Sequence, residues 1–217
     1  MNERTGTRAA VAGYPANLVV AGRRCVVVGA GRVAARKIGA LLDAGADVFV
    51  VAPEVGPVVR GFADAGRLVL AERAFVPADL DGAWLVTTAT GDPAVDGAVF
   101  AAGEERRLFV NSADDPEHCS FTLMSVVRQG DLVVTIGTGG RSPALAAWLR
   151  TRLERELGPE YATLLDVLAA AREELRASGR SSEDADWQRV LDSGMLDLIR
   201  AGRVDEAKEM LRTCLWS

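Results

Sequence analysis

The chain has 217 residues, 49% of them hydrophobic and 25% charged, a balance that excludes a disordered chain, a collagen-like fibre and a disulfide-stapled miniprotein. Its formal net charge is -5, with most of the acid excess after residue 150, so nucleic acid is not an expected partner. Cys25, Cys119 and Cys214 form no CxxC pair and His118 is the one histidine, which argues against a disulfide framework or a multi-His metal site and suits a reducing, cytoplasmic setting. No resident metal is expected. The N-terminus shows no signal pattern, and no run approaches the ~18 apolar residues of a membrane span.

Residues 1–13 read as a loose arm. The run Cys25-Val-Val-Val28 predicts a strand buried on both faces. Glycines follow, then a helix with Ala34, Ile38, Leu41 and Leu42 on one face, ended by Gly45. Further strands are predicted at 48–51, 68–70, 84–88 and 108–110, with a helix over 94–106. Strands alternating with helices imply a parallel, Rossmann-like doubly wound α/β sheet. Beyond it, strands at 121–127 and 132–136 flank the turn signal Arg128-Gln-Gly-Asp131. A helix from 144 to about 157 stops at Gly158-Pro159, and amphipathic segments carrying Leu164, Val190 and Leu211 form a helical tail. The expected division is a dinucleotide-binding domain over 1–115, a small α+β region over 116–157 and a helical module over 158–217.

Gly29-Ala-Gly31-Arg-Val-Ala34 fits G-x-G-x-x-A directly between a strand and a helix. Gly29 permits the tight turn, Gly31 lets a pyrophosphate approach the backbone, and Ala34 allows close helix–strand packing. The acid that holds ribose hydroxyls usually lies ~20 residues further on. Glu54, folded back by Pro53, is the candidate here, and no arginine beside it would receive a 2′-phosphate. NAD is therefore favoured over NADP. Thr90, in the loop after the fourth predicted strand, lies on the same sheet edge and is a further candidate cofactor contact.

Asn111-Ser-Ala-Asp-Asp-Pro116 leaves the fifth predicted strand on that same edge. Asp115 before Pro116 is a natural N-cap. Asp114 has no such duty and is the candidate to take a proton as hydride leaves for the cofactor; a turn-forming role is the plain alternative. Asn111 and His118 flank it as candidate substrate contacts, although a lone histidine is commonly a hydrogen-bonded structural group. Cys119 reads as a small buried hydrophobe. In Gly137-Thr-Gly-Gly-Arg-Ser-Pro143, Ser142 caps a helix. The loop amides with Thr138, Gly139 and Arg141 make an anion-binding corner. A short-chain dehydrogenase would need Tyr-x-x-x-Lys, but Tyr14 and Tyr161 are followed four residues on by Leu18 and Leu165.

These three motifs, in this order and spacing, resemble precorrin-2 dehydrogenase, the dehydrogenase/ferrochelatase module of siroheme synthases, over roughly residues 14–157. The resemblance implies a homodimer that oxidises the tetrapyrrole precorrin-2 to sirohydrochlorin with NAD, and in some members inserts ferrous ion. It implies that Asp114 is the essential carboxylate and that Arg32, Val33, Pro53 and Glu54 contact the cofactor. Thr138 stands where some members have serine, while Gly139, Gly140, Ser142 and Pro143 keep the pattern. The tail from about 159 is not matched, and the length leaves no room for the fused methyltransferase. Arg141 suits a substrate bearing many carboxylates. The competing reading is a non-catalytic, NAD-sensing regulatory module, which would keep Gly29 and Gly31 but have no use for Asp114 or Arg141.

Overall fold

In the computed structural model of this protein, which describes residues 13–113, 115–181, 183 and 185–216, the apolar run at Cys25 becomes strand β1, Arg24–Val28. Its side chains alternate between two cores. Cys25 and Val27 pack with Ala34, Ile38 and Val59, while Val26 and Val28 pack with Val99, Ala102 and Val110. Burial on both faces is why the run is apolar without interruption. With β2 (Asp47–Val51), β3 (Val69–Ala71), β4 (Leu85–Thr88) and β5 (Phe109–Ser112) it forms a 5-stranded parallel sheet in the order β3-β2-β1-β4-β5. Helices α1 (Arg32–Asp43) and α2 (Pro57–Asp64) serve the first core and α3 (Pro93–Glu105) the second. The predicted Rossmann-like, doubly wound architecture is the one observed.

Helix α1 ends as its sequence implies. Gly45, at φ 73, donates to Leu42 O, and Ala46 donates to Leu41 O. This is the paired closure that favours glycine after a C-cap. Two predictions need correcting. Helix α2 was not expected, although Gly56-Pro57 marks its start. The strand expected over 121–127 begins only at Ser125. The amides of Ser120 and Phe121 both donate to Val110 O, and the Phe121 ring stands edge-on to Phe109 at 6.3 Å. That stretch of the apolar run therefore closes onto β5 instead of starting a new strand. The arm expected over 1–13 lies, apart from Gly13, outside the described residues.

The described chain falls into two compact units, Gly13–Leu123 and 124–216. In the second, β6 (Ser125–Gln129) and β7 (Leu132–Ile136) form an antiparallel pair. Gln129 pairs with Leu132 across a two-residue turn led by Gly130 at φ 57. Helix α4 (Pro143–Glu156) packs on this pair. Helices α5 (Glu160–Ala177), α6 (Trp187–Leu191), α7 (Met195–Arg200) and α8 (Val204–Trp216) enclose a separate core around Leu164, Leu175, Val190, Met195 and Leu211. Among the described residues no helix is long and apolar enough to cross a membrane.

Candidate functional site

The exits of β1, β2 and β4 surround a cavity of about 570 Å³, within the range of roughly 300–1,000 Å³ usual for small-molecule sites. Strand order reverses between β1 and β4, and ligands of open α/β sheets settle beyond the strand ends at such a point. Gly29 sits at φ 106, and a Cβ there would lie 2.5 Å from Ala89 O. Its amide donates to Val51 O, and the Ala89 amide donates to Val28 O, so the three strand exits are laced together. Gly31 is different. Its φ is -79, and a Cβ there would meet nothing within 4 Å. The backbone does not require glycine at 31; the open space beside it does.

Gly31 is also the N-cap of α1, with no side-chain cap and no acid in the first turn. The first helical bond runs from Ala35 N to Gly31 O, so the amides of Arg32, Val33 and Ala34 have no intrahelical acceptor. Unfilled amides and the positive end of the helix dipole suit a diphosphate. A dinucleotide therefore fits the residues present: an open glycine, free helix amides and a cavity at the strand exits.

Pro53, Glu54, Val55 and Gly56 form a second wall, tied to the first by the Gly56 amide on Ala30 O at 3.0 Å. Ala74 and Phe75 form a third. Their loop is clamped by buried Asp79, which accepts from Arg73 at 2.8 and 2.5 Å and from Val76 N at 2.9 Å. The Arg73 guanidinium, with help from that amide, holds the Asp79 carboxyl below its ordinary value. Thr90, Asp92 and Val95 complete the lining; its charged members, Glu54 and Asp92, are both acidic.

Five predicted cofactor residues, Gly29, Gly31, Pro53, Glu54 and Thr90, thus line one cavity. Arg32, exposed, and Val33, half-buried, open α1 beside it. Asp114, the predicted proton acceptor, lies outside the described residues. Around it, Asp115 caps a one-turn helix by accepting from Glu117 N at 3.2 Å, and accepts from His118 Nδ1 at 2.6 Å. The His118 hydrogen bond holds the Asp115 carboxyl below its usual value. The His118 ring also packs against Phe100 at 5.1 Å. Asn111 is buried, its amide donating to Phe121 O and its oxygen accepting from Lys37 Nζ at 2.6 Å. Cys119 Sγ receives the Ser112 amide at 3.2 Å and closes the turn. Burial pushes the Cys25 thiol up to about 11, so it acts as packing and not as a nucleophile.

Thr138, Gly139, Arg141 and Ser142 belong to the second unit. Gly139 and Gly140 take φ 60 and 75. Thr138 Oγ1 accepts from the Ser142 amide at 3.3 Å, and Ser142 Oγ accepts from Leu145 N at 3.2 Å. This leaves the exposed Arg141 at the head of α4. Sequence reasoning missed Gly56, Phe75 and Asp92 in the cavity lining and buried Asp96 behind it. Asp92-Pro93 and Gly56-Pro57 are the helix-start signals that could have found two of them; Phe75 and Asp96 carry no local signal.

The profile of a family described as "Putative NAD(P)-binding" matches residues 16–125. A siroheme synthase of Nitrosococcus oceani is 34% identical over 203 residues, covering 93% of this chain and 43% of that protein. One of Methylococcus capsulatus is 36% identical over 189 residues, covering 86% of this chain and 40% of its own length. The chain thus spans less than half of these relatives. Among solved structures, one titled SirC, precorrin-2 dehydrogenase, superposes with a TM-score of 0.74 at 24% identity, covering 93% of this chain and all of that one.

Proposed function

Taking as premise that this chain belongs to the NAD(P)-binding family matched over residues 16–125, we propose that it oxidises precorrin-2 to sirohydrochlorin with NAD, the dehydrogenase step of siroheme synthesis. The observation that carries this is the open cavity beside Gly31 and the unfilled amides of α1. The siroheme synthases it resembles supply the substrate class. When bound, the nicotinamide accepts the hydride.

The protein does the rest. The amides of Arg32 and Val33 hold the diphosphate, Glu54 accepts from the ribose hydroxyls, and Pro53 turns it inward. The acidic lining, Glu54 and Asp92, favours NAD over a cofactor bearing a further phosphate. Asp114 takes the proton that the substrate releases as its hydride leaves, so one carboxylate completes a two-electron, two-hydrogen oxidation. Arg141 pairs with substrate carboxylates, joined by Thr138, the Gly139 amide and the Ser142 hydroxyl. His118 lends a hydrogen bond, and Asn111 contributes by fixing the turn. Residues 1–115 serve the dinucleotide, 116–157 pair two copies of the chain, and 158–217 form the helical module. Three cysteines that form no CxxC pair suit the cytoplasm.

Incubating the protein with NAD and precorrin-2 should yield sirohydrochlorin and NADH absorbance together. Asp114→Ala should abolish turnover and leave NAD affinity unchanged. Tight NAD binding without turnover would replace the enzyme by a dinucleotide-sensing regulatory module. Adding ferrous or cobaltous ion to the same assay tests metal insertion into the product.

A further inference from the structure

Buried acidic side chains are rare unless partnered, and besides Asp79, paired with Arg73, the first unit holds one that the proposed reaction does not use. Asp96, 5% exposed, stands in the first turn of α3. Its Oδ1 accepts from the hydroxyls of Thr88 and Thr90, the latter at 2.7 Å. Thr88 is the buried last residue of β4, whereas Thr90 lines the cavity. One carboxyl oxygen thus grips both ends of the segment 88–90. Between them lies Ala89, whose carbonyl faces Gly29 so closely that no Cβ fits between them. The glycine loop and the β4 exit meet at this point.

The second grip also sets the polarity of a cavity hydroxyl. Thr90 Oγ1 accepts the Asp92 amide at 3.0 Å. Its own proton has two acceptors, Asp96 Oδ1 at 2.7 Å and the Asp92 carbonyl at 3.2 Å, and Asp96 is the nearer; with the proton so directed, the Thr90 oxygen offers the cavity only a lone pair. It can then receive a hydroxyl or amide N–H from a ligand but cannot donate to one.

We propose that Asp96 is a positioning residue for the dinucleotide, acting through Thr90, which it turns into an acceptor for a ribose hydroxyl or carboxamide donor. This rests on the NAD reading above. The test is the NAD dissociation constant, by titration calorimetry, of the full chain and of Asp96→Ala, Asp96→Asn, Thr90→Val and the Asp96→Ala/Thr90→Val double variant. Asp96→Ala and Thr90→Val should each weaken binding by about tenfold, the scale of one hydrogen bond. The double variant should be no weaker than either single one, because both remove the same contact. Asp96→Asn, whose amide oxygen still accepts both hydroxyls, should restore affinity. A purely structural Asp96 would instead lower the melting temperature of Asp96→Ala while the folded protein bound NAD normally, and that result overturns the proposal. If Asp96→Ala does not fold, Thr90→Val decides: unchanged affinity overturns the proposal, and weakened affinity with Asp96→Asn intact supports it. An unaltered chain without affinity for NAD would defeat the cofactor reading itself.

Discussion

Gly29 and Gly31 share one loop and should fail in opposite ways. At Gly29 the backbone is at φ 106 and a Cβ would meet Ala89 O at 2.5 Å. Gly29→Ala therefore carries both backbone strain and a backbone clash, and should lower stability by roughly 1–3 kcal/mol, read from a denaturant melt. At Gly31 the backbone is ordinary and the space is open. Gly31→Asp should leave the melt within about 0.5 kcal/mol. It should nonetheless reduce NAD affinity by at least about tenfold, because it sets bulk and negative charge where the helix amides await a diphosphate. Normal NAD affinity in Gly31→Asp would remove the loop from the binding site. Asp96 acts at the same scale, by directing the proton of one cavity hydroxyl.

At the scale of elements, the connection from β3 to β4 carries Phe75 to the cavity and is held by the Arg73–Asp79 clamp. The Asp79 carboxyl is held below its ordinary value first by Arg73 and then by the Val76 amide. A carboxyl depressed in the folded state adds stability above its unfolded pKa of about 3.9, and that stability fades as pH falls through the folded value. Acid melts of the protein should therefore steepen below about pH 4, and Asp79→Asn should flatten that slope; parallel slopes would show the clamp to be inert. The elements also show what can be read from the chain. β1 and β2 were legible because burial on both faces leaves an unbroken apolar run, and the glycine loop because its chemistry is local. Helix α2 was not, since its short span centres on Gly61 and buries only Val59. The strand start at 121 was misjudged because Phe121 is apolar for a tertiary reason, its contact with β5. Asp96 and Phe75 reach the site through contacts between separate loops, which no periodicity encodes.

At the scale of the whole molecule, the region between the dinucleotide unit and the helical tail does not bury its own apolar surface. Helix α4 has no buried residue, and Leu145 and Trp148, three apart on one face, are 47% and 57% exposed. On the hairpin, side chains alternate. Val127 is buried toward α4, while Val126 and Val133 on the outer face are 40% and 42% exposed. A two-stranded hairpin is marginal on its own, and contiguous apolar patches on a soluble chain commonly mark a contact surface. The proposed pairing of two copies through 116–157 would cover these side chains. Sedimentation should accordingly report a dimer, and Trp148→Glu, which puts a charge among these exposed apolar side chains, should shift it toward monomer. The α5–α8 core does not include Trp148, so the helical circular dichroism and melt of that part should persist in the variant. A wild-type chain that sediments as a monomer at all concentrations would leave the exposed α4 face without its partner and overturn the pairing.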